Sequence, residues 1–222
     1  FSALRDRMAY SRFFVLGRDI FIRTALLVFC EALVLNQAAK LGDLDLATCQ
    51  LVLTLFGILA FALDAFAYAA EALVGEAIGK RNSTDLQIVI RRTNSLAAGM
   101  ALGIAAILWL GDTVIIRLFT TQAALIAHAQ MHWVWACLLA PASFMAFQLD
   151  GIFVGATRGQ DMRNAMIFSA GGLGIALLLF APWGLQGLLA AFVGYLGLRG
   201  ASLWWHIDRV YAQAGPPLQQ QS

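Results

Sequence analysis

Charge is scarce in this chain. Only 13% of its 222 residues are Asp, Glu, Lys or Arg, while 60% are hydrophobic and the mean hydropathy is +0.74. A soluble domain is about half apolar and about a quarter charged. The surplus apolar residues fall in long runs, which excludes a large soluble core and points to membrane spans. The net charge of +2 is dispersed between those runs, with no basic stripe, so nucleic acid is excluded as a partner. Cysteine is equally sparse. Cys30, Cys49 and Cys137 lie far apart within apolar runs, which leaves no disulfide framework or metal clamp and reads as three buried small hydrophobes. There is no Ser/His/Asp arrangement, no nucleophile–base pair and no phosphate loop. Gly171-Gly172-Leu173-Gly174 lies in an apolar span with no strand before it. An enzyme is therefore not expected. No basic segment leads into a short apolar stretch and a small-residue cleavage site, so no signal peptide is read. Phe1 in place of Met suggests a processed or truncated product.

What remains is a polytopic all-α membrane protein. Residues 1–17 hold Arg5, Arg7 and Arg12 among aromatics and read as a cytoplasmic linker segment lying at the interface. Six spans follow within 18–207, at about 19–39, 44–78, 95–110, 122–154, 164–181 and 188–205. The second is longer than a bilayer core of about 30 Å requires, so it must kink, tilt or protrude. Leu41-Gly42-Asp43 makes a tight turn, Ser83 or Thr84 is expected to cap the third segment, and Val114 to Phe119 reads as a short surface turn. Pro141 is the expected kink site of the fourth span. Residues 208–222, with Gly-Pro-Pro and three glutamines, are expected to be a disordered cytoplasmic tail.

Orientation follows from the arginines. Arg5, Arg7, Arg12, Arg18 and Arg23 open the chain. Lys80, Arg81, Arg91 and Arg92 lie between the second and third spans, Arg158 and Arg163 between the fourth and fifth, and Arg199 and Arg209 at the end of the sixth. Only Lys40 and Arg117 fall on the other side. The positive-inside rule places both termini in the cytoplasm of a multi-pass plasma-membrane protein, the inner membrane in a bacterium. Small residues at helix-packing spacing (Gly75 and Gly79, Gly99 and Gly103, Gly151 and Gly155, Gly194, Gly197 and Gly200) are read as contacts between spans.

Acids inside such spans are costly and mark function. Glu31 lies deep in the first span. A desolvated carboxylate there suits proton uptake and release, and Asn36 and Gln37 lie on the same helix. Asp64 and Glu71 are nearly two turns apart, so they share one face of the second span with Tyr68, a potential hydrogen-bond donor. Glu76 is expected at the interface. Asp150, with Gln148, sits near the inner end of the fourth span, and the bland alternative there is a helix-end contact with Arg158 or Arg163. His128 and His132 have metal-ligand spacing, but the run lacks a catalytic glutamate and continues into Trp133 and Trp135. It reads better as an outer aromatic belt, with no metal. His206, after Trp204-Trp205, has the same reading at the inner interface.

Three blocks then show a resemblance. Arg18-Asp19-Ile20-Phe21-Ile22-Arg23-Thr24 opens the first span. Asp64-Ala65-Phe66-Ala67-Tyr68-Ala69-Ala70-Glu71-Ala72-Leu73-Val74-Gly75-Glu76-Ala77-Ile78-Gly79 ends the second. Leu149-Asp150-Gly151-Ile152-Phe153-Val154-Gly155-Ala156-Thr157-Arg158, followed by Met162-Arg163-Asn164, closes the fourth. In this order they resemble the C-terminal half of multidrug and toxic compound extrusion (MATE) transporters, in the DinF-like branch, from about Arg12 to Arg209. The resemblance implies a twelve-helix antiporter of two six-helix lobes, in which substrate is expelled against H+ or Na+. This chain would be the second lobe. Its partners would be membrane lipids, the missing first lobe and a small organic substrate, with no cofactor beyond the coupling ion. The family also places acids in the second-lobe cavity on its first, second and fourth helices, here Glu31, Asp64 and Asp150. Glu31 departs from the DinF-like pattern, which is usually apolar there, and matches other branches that use a glutamate on that helix. Ala65 stands where the family usually has Gly. The alternatives are a lipid-linked oligosaccharide flippase, which needs a basic cavity and has only Arg23 and Arg199 within spans, or a non-transporting membrane remnant or scaffold.

Overall fold

Only four prolines, together with long apolar runs, give long helices. The computed structural model describes residues 7–215, with side chains from Phe14 onward, and among these residues every regular element is helical. Six helices are long: α1 (Arg7–Ala39), α2 (Asp43–Gly79), α3 (Ser83–Leu110), α5 (Ala123–Gly155), α6 (Gly159–Phe180) and α7 (Gly184–Trp204). Two are short: α4 (Asp112–Phe119) and α8 (Asp208–Tyr211). The apolar stretches able to cross a membrane are Asp43–Gly79, Ser83–Leu110, Ala123–Gly155 and Gly159–Ala214. The last contains α6 and α7, which pack on each other across a turn at Gly184, where φ is +56°. With α1 they make a six-helix membrane bundle.

Helix α5 is the centre of the bundle, packed against α2, α7 and α3, while α6 joins α1 to α7. Close approach of α2 and α5 depends on two glycines. A Cβ on Gly151 would overlap the backbone of Ala67, and one on Gly155 would overlap the carbonyl of Glu71. Gly200 plays a similar part against Ala146 and Met145. By contrast, Gly79, Gly99, Gly103, Gly194 and Gly197 face open space. Packing therefore accounts for only some of the small residues to which the spacing assigned it.

Side chains divide the interior into two apolar clusters. One includes Leu63, Phe147, Phe192 and Leu196; the other includes Ala70, Ile152, Phe153 and Leu203. The outside is equally oily, with Phe21, Phe61, Leu110 and Leu178 exposed as lipid-facing residues of a membrane protein. The 37 residues of α2 extend about 55 Å, well beyond a hydrocarbon core of about 30 Å. It begins with Asp43 and Asp45 after Gly42, whose φ of +130° suits only glycine. It ends at an exposed Glu76–Lys80 pair of 2.5 Å, as expected of an interfacial acid.

Several boundaries differ from the sequence reading. Helix α1 begins at Arg7, so residues 7–17 continue the first span rather than forming a separate linker; residues 1–6 lie outside the described residues. No proline interrupts this stretch. Helix α3 starts at Ser83, not near Ser95, because Asn82 caps it: its side chain accepts from the Asp85 backbone N–H at 3.1 Å. Arg91 and Arg92 thus belong to the helix. Residues 114–119 are not a bare turn but part of α4. The expected disordered tail is helical from Asp208 to Ala214, since Val210 and Ala214 bury themselves in the cluster formed with Val74, Leu86 and Ile90. Residues 216–222 lie outside the described residues.

Candidate functional site

Between the two apolar clusters the bundle holds charge. On α2 the break falls between Leu63 and Ala70, on α5 between Phe147 and Leu149, and on α7 between Leu196 and Leu203. Asp64 and Arg199 occupy the gaps on α2 and α7, and Asp150 follows directly on Leu149, at the start of the second cluster on α5. Asp150 is 7% exposed and Arg199 only 1%. Both Arg199, from α7, and Arg23, from α1, direct an Nη2 donor at the same oxygen, Oδ2 of Asp150. The Arg199 guanidinium also lies over the Phe147 ring, 5.7 Å from its centroid.

A buried guanidinium in an apolar bundle needs a counter-ion, and here two share one. The remaining charge comes from the other predicted acids. Asp64, half-buried, lies within electrostatic reach of Arg23, Asp150 and Arg199; Glu31, also half-buried, lies within reach of Arg199. Three carboxylates from α1, α2 and α5 therefore lie within electrostatic reach of two guanidiniums from α1 and α7. Counted as ionised, the three acids exceed the two arginines by one charge. Two polar groups of this centre are buried and unpartnered among the described residues: Arg23 Nε and Arg199 Nη1.

The structure does not gather every residue singled out above. Tyr68 is 68% exposed on the outside of α2. Glu71 is half-buried about two helical turns beyond Asp64, its backbone carbonyl against Gly155. Gln148 is 1% exposed with both amide atoms unpartnered. Two positions from Asp150 on a helix is a rotation of roughly 200°, so the two side chains leave α5 on opposite sides. The expected contact of Asp150 with Arg158 or Arg163 is absent, because those arginines serve other acids. Arg163 binds the fully buried Asp19 at 2.8 Å, which ties α6 to α1. Arg158 and Arg209 both bind Asp161, each at 2.5 Å. The actual partners, Arg23 and Arg199, carried a signal in the sequence: each is an arginine inside an oily run, and a buried cation demands an acid nearby.

At the opposite end of the bundle, His128 Nε2 lies 2.7 Å from Asp45 Oδ1 and joins α5 to α2. His132 Nδ1 donates to the His128 carbonyl at 2.9 Å. Among the described residues no group of three His, Cys, Asp or Glu is placed to hold a metal. Two surface grooves lie away from the acids. One, of about 520 Å³, is bordered by Arg91, Arg92 and Leu96; the other, of about 450 Å³, by Phe168, Leu198, Trp205 and His206. Exposed Leu96, Phe168 and Trp205 mark both as outer, lipid-facing walls.

Residues 20–180, most of the sequence, match the MatE family model. The chain belongs to the MatE family. Its relatives include DNA damage-inducible protein F of Escherichia coli (strain K12), 35% identical over 195 residues, 87% of this chain and 42% of that protein. Protein DETOXIFICATION 42 of Arabidopsis thaliana is 23% identical over 208 residues, 93% of this chain and 40% of that protein. Protein DETOXIFICATION 45, chloroplastic, of Arabidopsis thaliana is 24% identical over 203 residues, with 91% and 35% covered. The chain thus spans about two-fifths of the length of the curated relatives it matches. MATE family members are integral membrane transporters, not enzymes. The E. coli relative accords with the DinF-like branch that the sequence blocks resemble.

Proposed function

We propose that this chain is the second lobe of a cation-coupled efflux transporter that exchanges H+ or Na+ for a small organic compound. The observation that carries this reading is the charge imbalance inside the bundle: Glu31, Asp64 and Asp150 against Arg23 and Arg199. Asp150 is bound by both arginines and acts as the fixed anion of the centre. Asp64 and Glu31 then carry the exchangeable proton or cation. Its binding has to favour one access state over the other to do work, and alternating access comes from rocking this lobe against a first lobe around a midplane cavity. Both termini face the cytoplasm in this arrangement, because the arginine-rich loops do.

The acidic balance also weighs against the flippase alternative. Arg23 and Arg199, which would have to meet a lipid pyrophosphate, are engaged with Asp150. Reconstituting the protein as its gene encodes it into lipid vesicles, with a fluorescent organic cation as cargo, tests the reading. An imposed H+ or Na+ gradient should drive dye movement, and an ionophore that collapses the gradient should stop it. Dye flux that ignores both gradients, or no flux at all, favours the non-transporting scaffold instead.

A further inference from the structure

Asp150 does not use up the hydrogen-bonding capacity of its two arginines. Arg23 and Arg199 each place Nη2 on the same Oδ2, while Arg23 Nε and Arg199 Nη1 stay buried without a partner. A buried N–H without an acceptor is costly, more so on a charged group. Arg23 has one further acid in reach, Asp64, and Arg199 has two, Glu31 and Asp64. For Asp64 the foremost cation is Arg23, and for Glu31 it is Arg199. Two idle donors and two acids without a fixed partner therefore sit on either side of one shared anion.

The other charged groups around this centre are accounted for. On α6, Arg163 is held by Asp19, and Asp161 by Arg158 and Arg209. On α3, Arg91 and Arg92 are exposed. On α2, Glu71 is half-buried nearer the inner end. Besides Arg199, the Cys30 thiol and the Tyr195 hydroxyl lie within reach of Glu31, the latter donating to Met166 Sδ at 3.5 Å.

Resting on the coupling reading above, we propose that Arg23 and Arg199 are positioning residues that change partner with the proton: Arg23 turns from Asp150 toward Asp64, and Arg199 from Asp150 toward Glu31, when that acid gives up its proton. The acid loses H+ to water and becomes an acceptor; the arginine keeps its own protons and supplies the N–H that the new carboxylate needs. When the acid is reprotonated, the guanidinium returns to Asp150. Because Arg23 lies on α1, Arg199 on α7, Asp64 on α2 and Asp150 on α5, each exchange moves a tie from one pair of helices to another. That is a two-state element which a proton biases, the physical requirement for coupling.

Infrared titration of the protein in lipid bilayers tests this without requiring transport. Glu31→Gln and Asp64→Asn first assign the carboxylic-acid C=O band of each residue. Arg199→Gln should move the pH at which the Glu31 band vanishes upward by about one unit or more, and Arg23→Gln should do so for Asp64, since each loses the cation that stabilises its anion. If an arginine variant does not fold, Arg199→Lys or Arg23→Lys replaces it. One nitrogen cannot hold Asp150 and answer a second acid together, so the same band moves in the same direction. Bands that stay in place, or that both arginines move equally, overturn the partner exchange while leaving the coupling reading intact. If neither acid shows a titrating band, the partner exchange falls together with the proton form of the coupling reading.

Discussion

Four glycines with the same spacing respond to alanine with opposite sign. Gly151 and Gly155 lie on α5 where α2 crosses it. A Cβ on Gly151 would sit 2.7 Å from the Ala67 carbonyl carbon and 2.9 Å from its Cα; one on Gly155 would sit 3.1 Å from the same atoms of Glu71. These neighbours are backbone and cannot rotate aside, so α2 and α5 must separate. Overpacking of this kind costs about 1–3 kcal/mol, which outweighs the gain of about 1 kcal/mol from replacing a helical glycine. Gly99 and Gly103 on α3 have nothing within 4 Å of the same added atom. There only the propensity gain remains, up to about 1 kcal/mol. Thermal unfolding of the chain in mild detergent, followed by intrinsic tryptophan fluorescence, separates the cases. With the gain subtracted the net cost reaches about 2 kcal/mol, so Gly151→Ala should lower Tm by up to about 8 °C, using about 2–4 °C per kcal/mol for a chain of this size, while Gly99→Ala and Gly103→Ala should raise it slightly or leave it unchanged. Effects of the same sign and size at all the positions would refute the packing assignment.

Three further outcomes follow from the ion pairs and the C-terminal turn. Arg163→Ala leaves the fully buried Asp19 with only its exposed neighbour Arg18, and should destabilise the α1–α6 contact by about 3 kcal/mol, seen as a lowered unfolding midpoint in denaturant. Val210→Asp places a charge in the cluster shared with Val74 and Leu86; hydrogen exchange should accelerate from residue 208 to 214 and stay slow in α5. His128→Ala removes the 2.7 Å tie to Asp45 at the N-terminal end of α2. It should increase exchange at the start of α2 without altering that of α7, and a bundle-wide change would show that the pair does more than join two helix ends.

Much of the fold was legible because membrane spans announce themselves: uninterrupted apolar runs, arginines on alternate loops, and turn residues such as Gly42. The ends of helices were less legible. Arg91 and Arg92 looked like loop residues because charge signals an interface, yet the cap at Asn82 starts α3 well before them. The tail looked disordered from its composition, but two small apolar residues, Val210 and Ala214, suffice to dock it. Spacing could not tell Gly151 and Gly155 from Gly99 and Gly103, since a helix contact needs a neighbour as well as a small residue. For the candidate site, acids inside oily runs were the signal, and periodicity placed Asp64 with Glu71 on one face. It could not show which arginine meets which acid, since Asp150 and Arg23 are 127 positions apart. Nor could it show that Tyr68 faces outward.

Substrate/H+ exchange in vesicles carrying Asp64→Asn, Glu31→Gln and the double variant tests the central claim most directly, in the transporter as its gene encodes it. Each single variant should impair exchange driven by a pH gradient, and the double variant should abolish it while the protein still inserts and folds. Normal gradient-driven export by both single variants and by the double variant would contradict the account, because the unmatched charge of the bundle would then have no part in coupling.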